Sequence, residues 1–506
     1  MPDLTHTHAP LEKLSPGEER FERYRRSAGF WLAPLAFLAV LLLPLGMLTP
    51  KGHTLAAIIT LVSVLWLTEA IPLAIAALLG PVLCVLLGVA PTREVLGCFG
   101  DPIILLFLGT FILAQAMMEH GVSRRFALMI LSRQWIAKSP SRVIFAFGGV
   151  TAFLSMWISN TATTAMMVPI GLGILSALRA EGGMSAGRFG TGLMLVAAYA
   201  STLGGIATPV GSPPNLISIG ALAKLTGHRI SFFEWTVMAL PVAVVLCAVL
   251  FFYIARTCAP RGSGFGASAA FIKEERRKLG PMSRGEINTM AAFLVTVSLW
   301  VGPGFVALLW GGDSAPAKWC TLHLPESVAA LTGAILLFVL PVDWKKREFT
   351  ITLKKAFEID WGTLILFGGG LALGDQMFRT GLADALGKTL VVLTGAHTLP
   401  AITALAVGFT ILMTEGTSNT AAANMAVPVV IAIAQAAGVD PLPPALGAGL
   451  GASMGFLMPV STPPNAIIYG TGLVPLTRMV AYGFLLSVTS FVVITFAALY
   501  LLPRIF

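Results

Sequence analysis

The chain has 506 residues, of which 56% are hydrophobic and only 11% are charged, against roughly 25% charged residues in soluble domains. This composition excludes an ordinary soluble enzyme. The net charge of +9 does not indicate nucleic acid binding, because the basic residues form short clusters between apolar segments and no nucleic-acid motif accompanies them. The five cysteines lack CxxC spacing and predict neither a disulfide framework nor a metal centre.

Continuous apolar stretches long enough to cross a bilayer predict eleven membrane-spanning helices. In chain order they cover residues 29–49, 54–71, 72–91, 101–119, 189–225, 235–257, 287–309, 325–341, 361–378, 444–472 and 478–502. Two further apolar stretches, 141–178 and 399–436, are nearly twice as long as one span and carry a polar Ser-Asn-Thr cluster at their middle. We expect each of these two to form a re-entrant hairpin that enters and leaves on one side of the membrane.

The distribution of basic residues supports this arrangement. With a cytoplasmic N-terminus, eleven spans and two hairpins, 25 of the 33 Lys and Arg residues fall inside and 8 fall outside, as the positive-inside rule requires. The chain is therefore predicted to be a multi-pass protein of the cytoplasmic (inner) membrane, embedded in the lipid bilayer. Its N-terminal tail at 1–28 and a charged linker at 258–286 would both be cytoplasmic.

Two short motifs occur twice, in the same order. Ser-Asn-Thr stands at 159–161 and again at 418–420, and the Pro-Pro-Asn segment at 208–215 returns at 458–465. Because five predicted spans fall in each half, the two copies are inverted, and inverted repeats place a binding site near the membrane midplane. Paired prolines break a helix and free backbone groups to line a cavity, and Ser, Asn and Thr oxygens can coordinate a hard cation.

The charges within the apolar segments indicate how an anion could be bound. None of the 33 basic residues lies at the predicted centre of a span or beside the four motifs, so an anionic substrate would have to be neutralised by bound cations and backbone dipoles. This favours cation-coupled transport. Five acids in the apolar segments are candidates for a proton relay or for structural hydrogen bonds: Glu69, Asp101, Glu119, Asp375 and Glu415.

At these motifs the sequence resembles the divalent anion/sodium symporter family, which includes sodium-coupled dicarboxylate transporters. The likeness also covers Thr68-Glu69-Ala70-Ile71-Pro72 and Thr414-Glu415, and it runs in order through 29–503. The resemblance implies an all-α, elevator-type homodimer with inverted repeats. A scaffold would comprise 29–138 and 287–398, each with an interfacial segment, and a moving transport domain would comprise 139–257 and 399–506.

The resemblance further implies two or more coupling sodium ions and a dicarboxylate site. One sodium ion would be bound by Ser155, Ser159, Asn160 and the carbonyl of Gly211, and the second by Thr414, Thr417, Asn419 and the carbonyl of Ser461. Substrate carboxylates would contact Asn160, Thr161, Ser212, Pro213, Ser418, Asn419, Thr420, Thr462 and Pro463. Gly416 and Asn424 depart from the family pattern, in which bulkier or hydroxylated residues are common at these positions.

These features predict sodium-coupled symport of C4-dicarboxylates such as succinate, malate or fumarate. The alternative is a sodium-independent exchanger of one di- or tricarboxylate for another. A channel or a membrane enzyme is disfavoured, because the sequence carries no metal-ligand cluster, nucleotide-binding loop or catalytic triad.

Overall fold

The computed structural model describes residues 16–136, 139–180, 187–260 and 266–501, and these residues form helices almost throughout. The all-α fold expected from the sequence is confirmed, with one short antiparallel β-hairpin as an addition. Parts of the predicted N-terminal tail (1–15), of the predicted linker (261–265) and of the last segment (502–506) lie outside the described residues.

In the described part of the first half, the chain forms eleven α-helices, followed by one α-helix in the predicted linker. They are α1 (Pro16–Leu42), α2 (Pro50–Thr68), α3 (Leu73–Leu86), α4 (Thr92–Leu96), α5 (Pro102–Glu119), α6 (Val122–Leu131), α7 (Pro140–Ser155), α8 (Asn160–Ala180), α9 (Gly187–Gly205), α10 (Pro213–Thr226), α11 (Phe232–Cys258) and, in the linker, α12 (Gly266–Lys278).

The second half repeats this arrangement with small additions. Its elements are α13 (Arg284–Trp310), α14 (Ala315–His323), α15 (Glu326–Val339), β1 (Pro341–Asp343), β2 (Glu348–Phe349), α16 (Leu353–Ala356), α17 (Trp361–Arg379), α18 (Leu382–Thr394), α19 (Leu399–Gly416), α20 (Asn419–Ala436), α21 (Leu442–Ala452), α22 (Pro463–Gly470) and α23 (Leu476–Phe496).

The helix boundaries follow local sequence signals. Ser231 with Glu234, and Ser283 with Glu286, form capping boxes that satisfy the first backbone N–H groups of α11 and α13. Asp101 caps α5 by accepting from the N–H of Ile103. Proline stands in the first turn of many of the other helices, where its missing N–H costs nothing.

Nine helices of the described ranges are long and apolar enough to cross a membrane, or ten if the pair α14 and α15, bent by 60°, is counted as one span. The count of eleven spans therefore stays a prediction. Two predicted spans, 189–225 and 444–472, are each divided into two helices, α9 with α10 and α21 with α22. The loops that separate them end directly before Pro213-Pro214 and Pro463-Pro464, which begin α10 and α22, as expected from proline chemistry.

The two Ser-Asn-Thr stretches each form a pair of helices joined by a short turn. We call α7 with α8 hairpin 1 and α19 with α20 hairpin 2; their turns are at 156–159 and 417–418. The helix α9 packs against both helices of hairpin 1, and α21 packs against both helices of hairpin 2. The helices α9 and α21 occupy equivalent places in the two repeats, and all of α21 and of the segment 189–205 of α9 is buried. Many of these buried residues are Gly or Ala, which lets neighbouring helices approach closely in a membrane.

Candidate functional site

The first Ser-Asn-Thr motif lies at the turn of hairpin 1. The hydroxyl of Ser155 donates to Asn160 Oδ1 at 2.7 Å. Ser159 Oγ accepts from the backbone N–H of Ala162 at 3.2 Å, so that it caps the start of α8. The hydroxyl of Thr208 donates to the carbonyl O of Met156 at 2.5 Å. This bond joins the turn of hairpin 1 to the loop between α9 and α10.

The second motif repeats this geometry at the turn of hairpin 2. The hydroxyl oxygen of Thr414 is 2.6 Å from Asn419 Oδ1 and 2.7 Å from the carbonyl O of Ala452. Ser418 Oγ accepts from the N–H of Ala421 at 3.2 Å and caps α20. The repeat that is visible in the sequence is therefore also a repeat of hydrogen bonds.

The two Pro-Pro-Asn loops are closed in the same way by their asparagines. Asn215 Nδ2 donates to the carbonyl oxygens of Gly205 and Thr208, at 3.0 and 2.8 Å. Asn465 Nδ2 donates to the equivalent oxygens of Gly455 and Met458, at 3.2 and 3.1 Å. These bonds satisfy carbonyl groups that the broken helices leave without helical partners. In both asparagines Oδ1 is buried and has no partner among the described residues.

The two halves meet at these loops. The hydroxyl oxygens of Ser212 and Ser453 are 3.0 Å apart, and both serines are buried. The hydroxyl of Tyr199 in α9 donates to the carbonyl O of Phe456 at 2.8 Å, which connects the first repeat to the loop of the second. These bonds join the two repeated segments directly, while their inverted orientation stays a prediction.

Several oxygen atoms lie close to Gly205, at the end of α9. A Cβ added at Gly205 would lie 2.3 Å from Asn160 Oδ1 and 2.9 Å from the carbonyl O of Gly211. Ser155 Oγ is hydrogen-bonded to the same Asn160 Oδ1. Three of the four residues expected at the first sodium site therefore lie together beside Gly205, and the fourth, Ser159, caps α8 next to them. Such a set of hard oxygen atoms fits a small cation.

The equivalent place in the second half is arranged differently. Thr414 and Asn419 are adjacent, but the hydroxyl of Thr417 donates to the carbonyl O of Trp66 in α2 at 3.0 Å. A Cβ at Gly455, the counterpart of Gly205, would lie 3.2 Å from the carbonyl O of Thr414, its nearest neighbour. Of the predicted ligands of the second sodium site, the structure brings Thr414 and Asn419 together, while the Thr417 hydroxyl contacts α2.

The residues expected to contact the substrate lie at four helix starts, and each motif supplies one of them. Asn160 and Thr161 begin α8, Ser212 and Pro213 begin α10, Ser418, Asn419 and Thr420 begin α20, and Thr462 and Pro463 begin α22. The helices pair across the repeats, because α8 contacts α22 and α10 contacts α20. Helix N-termini carry partial positive charge and free N–H groups, which suit them to carboxylates.

One basic residue does lie beside a motif, so the expectation that none would do so is wrong. Arg25 Nη1 donates to the carbonyl O of Gly416, at the turn of hairpin 2, at 3.1 Å. Its Nη2 is 2.9 Å from Glu22 and 3.3 Å from Glu69. Local sequence could not show this contact, because 391 positions separate Arg25 from Gly416. Glu69 could have indicated this contact, because an acid in an apolar segment requires a basic partner, and its partner is Arg25.

Each of the five acids in the apolar segments has a structural partner, which favours hydrogen bonding over a proton relay. The pairs are Glu69 with Arg25, Asp101 with the N–H of Ile103, Glu119 with Lys355, Asp375 with Arg379, and Glu415 with the N–H groups of Phe456 and Leu457. Glu415, the one nearest a motif, thus fixes the loop that precedes the second Pro-Pro-Asn segment.

Comparison with known proteins gives consistent relatives. A family described as the sodium:sulfate symporter transmembrane region matches residues 26–503. The chain is 34% identical over 485 residues to the sodium-dependent dicarboxylate transporter SdcS of Staphylococcus saprophyticus, across 94% of this chain and 91% of that one. It is 35% identical over 483 residues to SdcS of Staphylococcus aureus, across the same shares of the two chains.

Two solved transporter structures share the fold. The YdaH transporter of Alcanivorax borkumensis aligns with a TM-score of 0.54 at 15% identity, over 81% of this chain and 87% of that one. MtrF of Neisseria gonorrhoeae, described within a class of antimetabolite efflux pumps, aligns with a TM-score of 0.50 at 12% identity, over 82% and 84%. At these identities the likeness concerns the fold alone.

Proposed function

Because this chain belongs to the sodium:sulfate symporter family, we propose that it couples the movement of sodium ions to the uptake of a C4-dicarboxylate across the cytoplasmic membrane. The resemblance found in the sequence is thereby confirmed at the level of the family, and the protein is a multi-pass membrane transporter rather than an enzyme. The names of its relatives, sodium-dependent dicarboxylate transporters, support both the ion and the substrate class.

The sodium site is supported by the oxygen atoms that lie together beside Gly205. Asn160 Oδ1 and the carbonyl O of Gly211 approach one point from two elements, and no carboxylate of the described residues is bonded to either of them. These oxygens attract a monovalent cation without binding it as tightly as carboxylates would. A transporter needs such moderate binding, because a coupling ion must also be released.

The charge of the substrate explains why a cation would be needed. A dicarboxylate at the four helix starts would meet partial positive charges but no free basic side chain, since Arg25 is already paired with Glu22 and Glu69. Burying two negative charges without counterions costs more than helix termini return. Sodium ions bound beside Asn160 and Asn419 would supply the missing positive charge.

The crossed pairing of helices suggests how the substrate lies. One carboxylate would be bound at the starts of α8 and α22, and the other at the starts of α10 and α20. The hydroxyl and amide groups expected to contact the substrate are at these four starts. A four-carbon diacid such as succinate, malate or fumarate, with one carboxylate at each end, matches two such pairs.

We also propose the elevator arrangement and the homodimer, which follow from the resemblance. The contacts of hairpin 2 support the first of these. Its turn is bonded at two points outside the transport domain, by Arg25 of the predicted N-terminal tail to Gly416 and by Thr417 to Trp66 of the scaffold. In the predicted topology these ends of α1 and α2 are cytoplasmic, so this arrangement would be the inward-facing state.

A sodium-independent exchanger remains the second candidate. The observation that favours it is Thr417, whose hydroxyl is bonded to α2 instead of facing Thr414 and Asn419. An incomplete second cation site would weaken sodium coupling.

Uptake of radiolabelled succinate into proteoliposomes separates the two functions. The symporter takes up succinate into empty vesicles when an inward sodium gradient is imposed, and uptake falls when choline replaces sodium. Vesicles preloaded with unlabelled succinate and free of sodium provide the comparison. Uptake that requires internal dicarboxylate and ignores sodium would establish the exchanger.

A further inference from the structure

A cavity of about 340 Å³ lies between the start of α9, the end of α11 and the start of α23. Three arginines line it together with two tyrosines, two threonines, a cysteine and an alanine, and none of these lining residues is acidic. The arginines are Arg188, Arg256 and Arg478. It is separate from the four motifs, and neither the sodium nor the dicarboxylate sites proposed above use any of these residues.

The three guanidinium groups are free to bind a ligand. Within the described ranges, none of the three has an ion pair or a hydrogen bond. Some other arginines of the same predicted side are paired, such as Arg125 with Glu286 and Arg277 with Glu274. Three unpaired positive charges around one cavity repel one another, so an anion with several oxygens would be bound there favourably.

The inner wall of the cavity is already ordered. Tyr482 is only 6% exposed, and its hydroxyl donates to Thr257 Oγ1 at 2.7 Å. The ring of Tyr253 lies 4.9 Å from that of Tyr482. On the opposite side, the hydroxyl of Thr191 donates to the carbonyl O of Leu473 at 2.7 Å. A ligand would therefore lose little free energy in organising this wall.

The positions of the arginines in their helices place the cavity at the membrane surface. Arg188 and Arg478 are in the first turns of α9 and α23, and Arg256 is in the last turn of α11. Both α11 and α23 are candidate spans, so their ends lie at the level of lipid headgroups. The N-termini of α9 and α23 add partial positive charge at this level.

Apolar side chains continue from the cavity along the same helix faces. Phe252 lies one turn from Arg256 on α11 and is 71% exposed, and Leu485 lies two turns from Arg478 on α23 and is 38% exposed. Both lie further inside their candidate spans than the arginines, at the level predicted for the hydrocarbon region. An arginine cluster at headgroup level with exposed apolar residues beneath it matches the two ends of a phospholipid.

We propose that this cavity binds a phosphoryl group and that the headgroup of an anionic phospholipid supplies it. The phosphate oxygens accept hydrogen bonds from Arg188, Arg256 and Arg478, while the acyl chains run along Phe252 and Leu485. Since α9 and α11 belong to the first repeat and α23 to the second, the bound lipid joins the two repeats and stabilises their contact.

Thermal unfolding of the purified full-length protein in detergent tests the proposal without any transport assay. Phosphatidylglycerol is compared with phosphatidylcholine of the same acyl chains and with inorganic phosphate. We expect phosphatidylglycerol to raise the Tm and the other two to leave it unchanged. In the variant Arg256→Gln/Arg478→Gln, the phosphatidylglycerol concentration for half of the effect should rise by about tenfold or more, as the loss of charged hydrogen bonds predicts.

Arg284→Gln is the matched control. Arg284 is also exposed, begins the candidate span α13 on the same predicted side of the membrane, and does not line the cavity. Equal responses of the control and the double variant would overturn the site. An equal rise in Tm with inorganic phosphate would keep the phosphoryl site and overturn the lipid as its source. Arg188→Gln alone gives the same comparison if the double variant does not fold.

Discussion

The substitution Gly205→Ala tests the first cation site by adding a Cβ next to it, without removing any of the expected ligands. Gly205 ends α9, and in a helix alanine is favoured over glycine by about 1 kcal/mol. Helix propensity alone would therefore predict that Gly205→Ala leaves the stability of the protein unchanged or raises it. The added Cβ, however, would lie 2.3 Å from Asn160 Oδ1 and 2.9 Å from the carbonyl O of Gly211. Real Cβ atoms do not make contacts this short, so the Asn160 side chain has to move out of the cation site.

The cost can be worked out from the bonds that this movement breaks. Asn160 loses its 2.7 Å hydrogen bond from Ser155, worth about 1 kcal/mol, and overpacking adds about 1–3 kcal/mol. Sodium binding would have to bring Asn160 back against this cost. If at least about 1.4 kcal/mol of it is lost from sodium binding, the affinity falls at least about tenfold. Gly455→Ala is the matched control, because its Cβ would meet nothing closer than 3.2 Å.

The assay is succinate uptake into proteoliposomes at increasing sodium concentration. Gly205→Ala should raise the half-saturating sodium concentration by about tenfold or more, whereas Gly455→Ala should leave it nearly unchanged. Gel filtration and thermal unfolding establish that both variants are folded. Equal sodium dependence in the two variants would refute the assignment of the oxygen atoms beside Gly205 to a coupling ion.

Asn160→Ala and Asn419→Ala should each abolish uptake and leave a folded protein, because each side chain is expected to serve both a cation and the substrate; wild-type uptake by either would exclude these site assignments. Arg25→Gln should speed thiol labelling of a cysteine placed at Gly416 by about tenfold, because one charged hydrogen bond then no longer holds hairpin 2. Arg26→Gln, which removes the neighbouring charge without touching the hairpin, should leave this rate unchanged, and equal rates in both variants would contradict the role of the Arg25 bond. An impermeant thiol reagent should label cysteines on the predicted outer loops and not those on the inner loops, and reversed labelling would mean that one hairpin crosses the membrane. The positions to be compared are Lys318 and Lys388 outside, and Arg277 and Lys346 inside.

The sequence was informative wherever a local pattern has a strong physical consequence. Paired prolines break helices, so the loops between α9 and α10 and between α21 and α22 could be placed from Pro213-Pro214 and Pro463-Pro464 alone. The polar Ser-Asn-Thr clusters likewise marked the turns of both hairpins. The closeness of Ser155 and Asn160 came from the family likeness, and the structure agrees with it.

Contacts between distant segments could not be read in the same way. Hydropathy gives the segments that enter the membrane but not which of them are neighbours, so the bond from Arg25 to Gly416 was missed. The bond from Thr417 to Trp66 and the cavity of three arginines were missed for the same reason. Each depends on the packing of helices that are far apart in the chain.

In the proposed mechanism, sodium must be bound before the dicarboxylate can bind. Calorimetric titration of the purified protein with succinate, in sodium chloride and in an equal concentration of choline chloride, tests this most directly. We expect binding heat in sodium only, an affinity that rises with sodium at a Hill slope above one, and no replacement of sodium by potassium. Succinate binding of the same affinity in choline would contradict the symport mechanism and favour the exchanger.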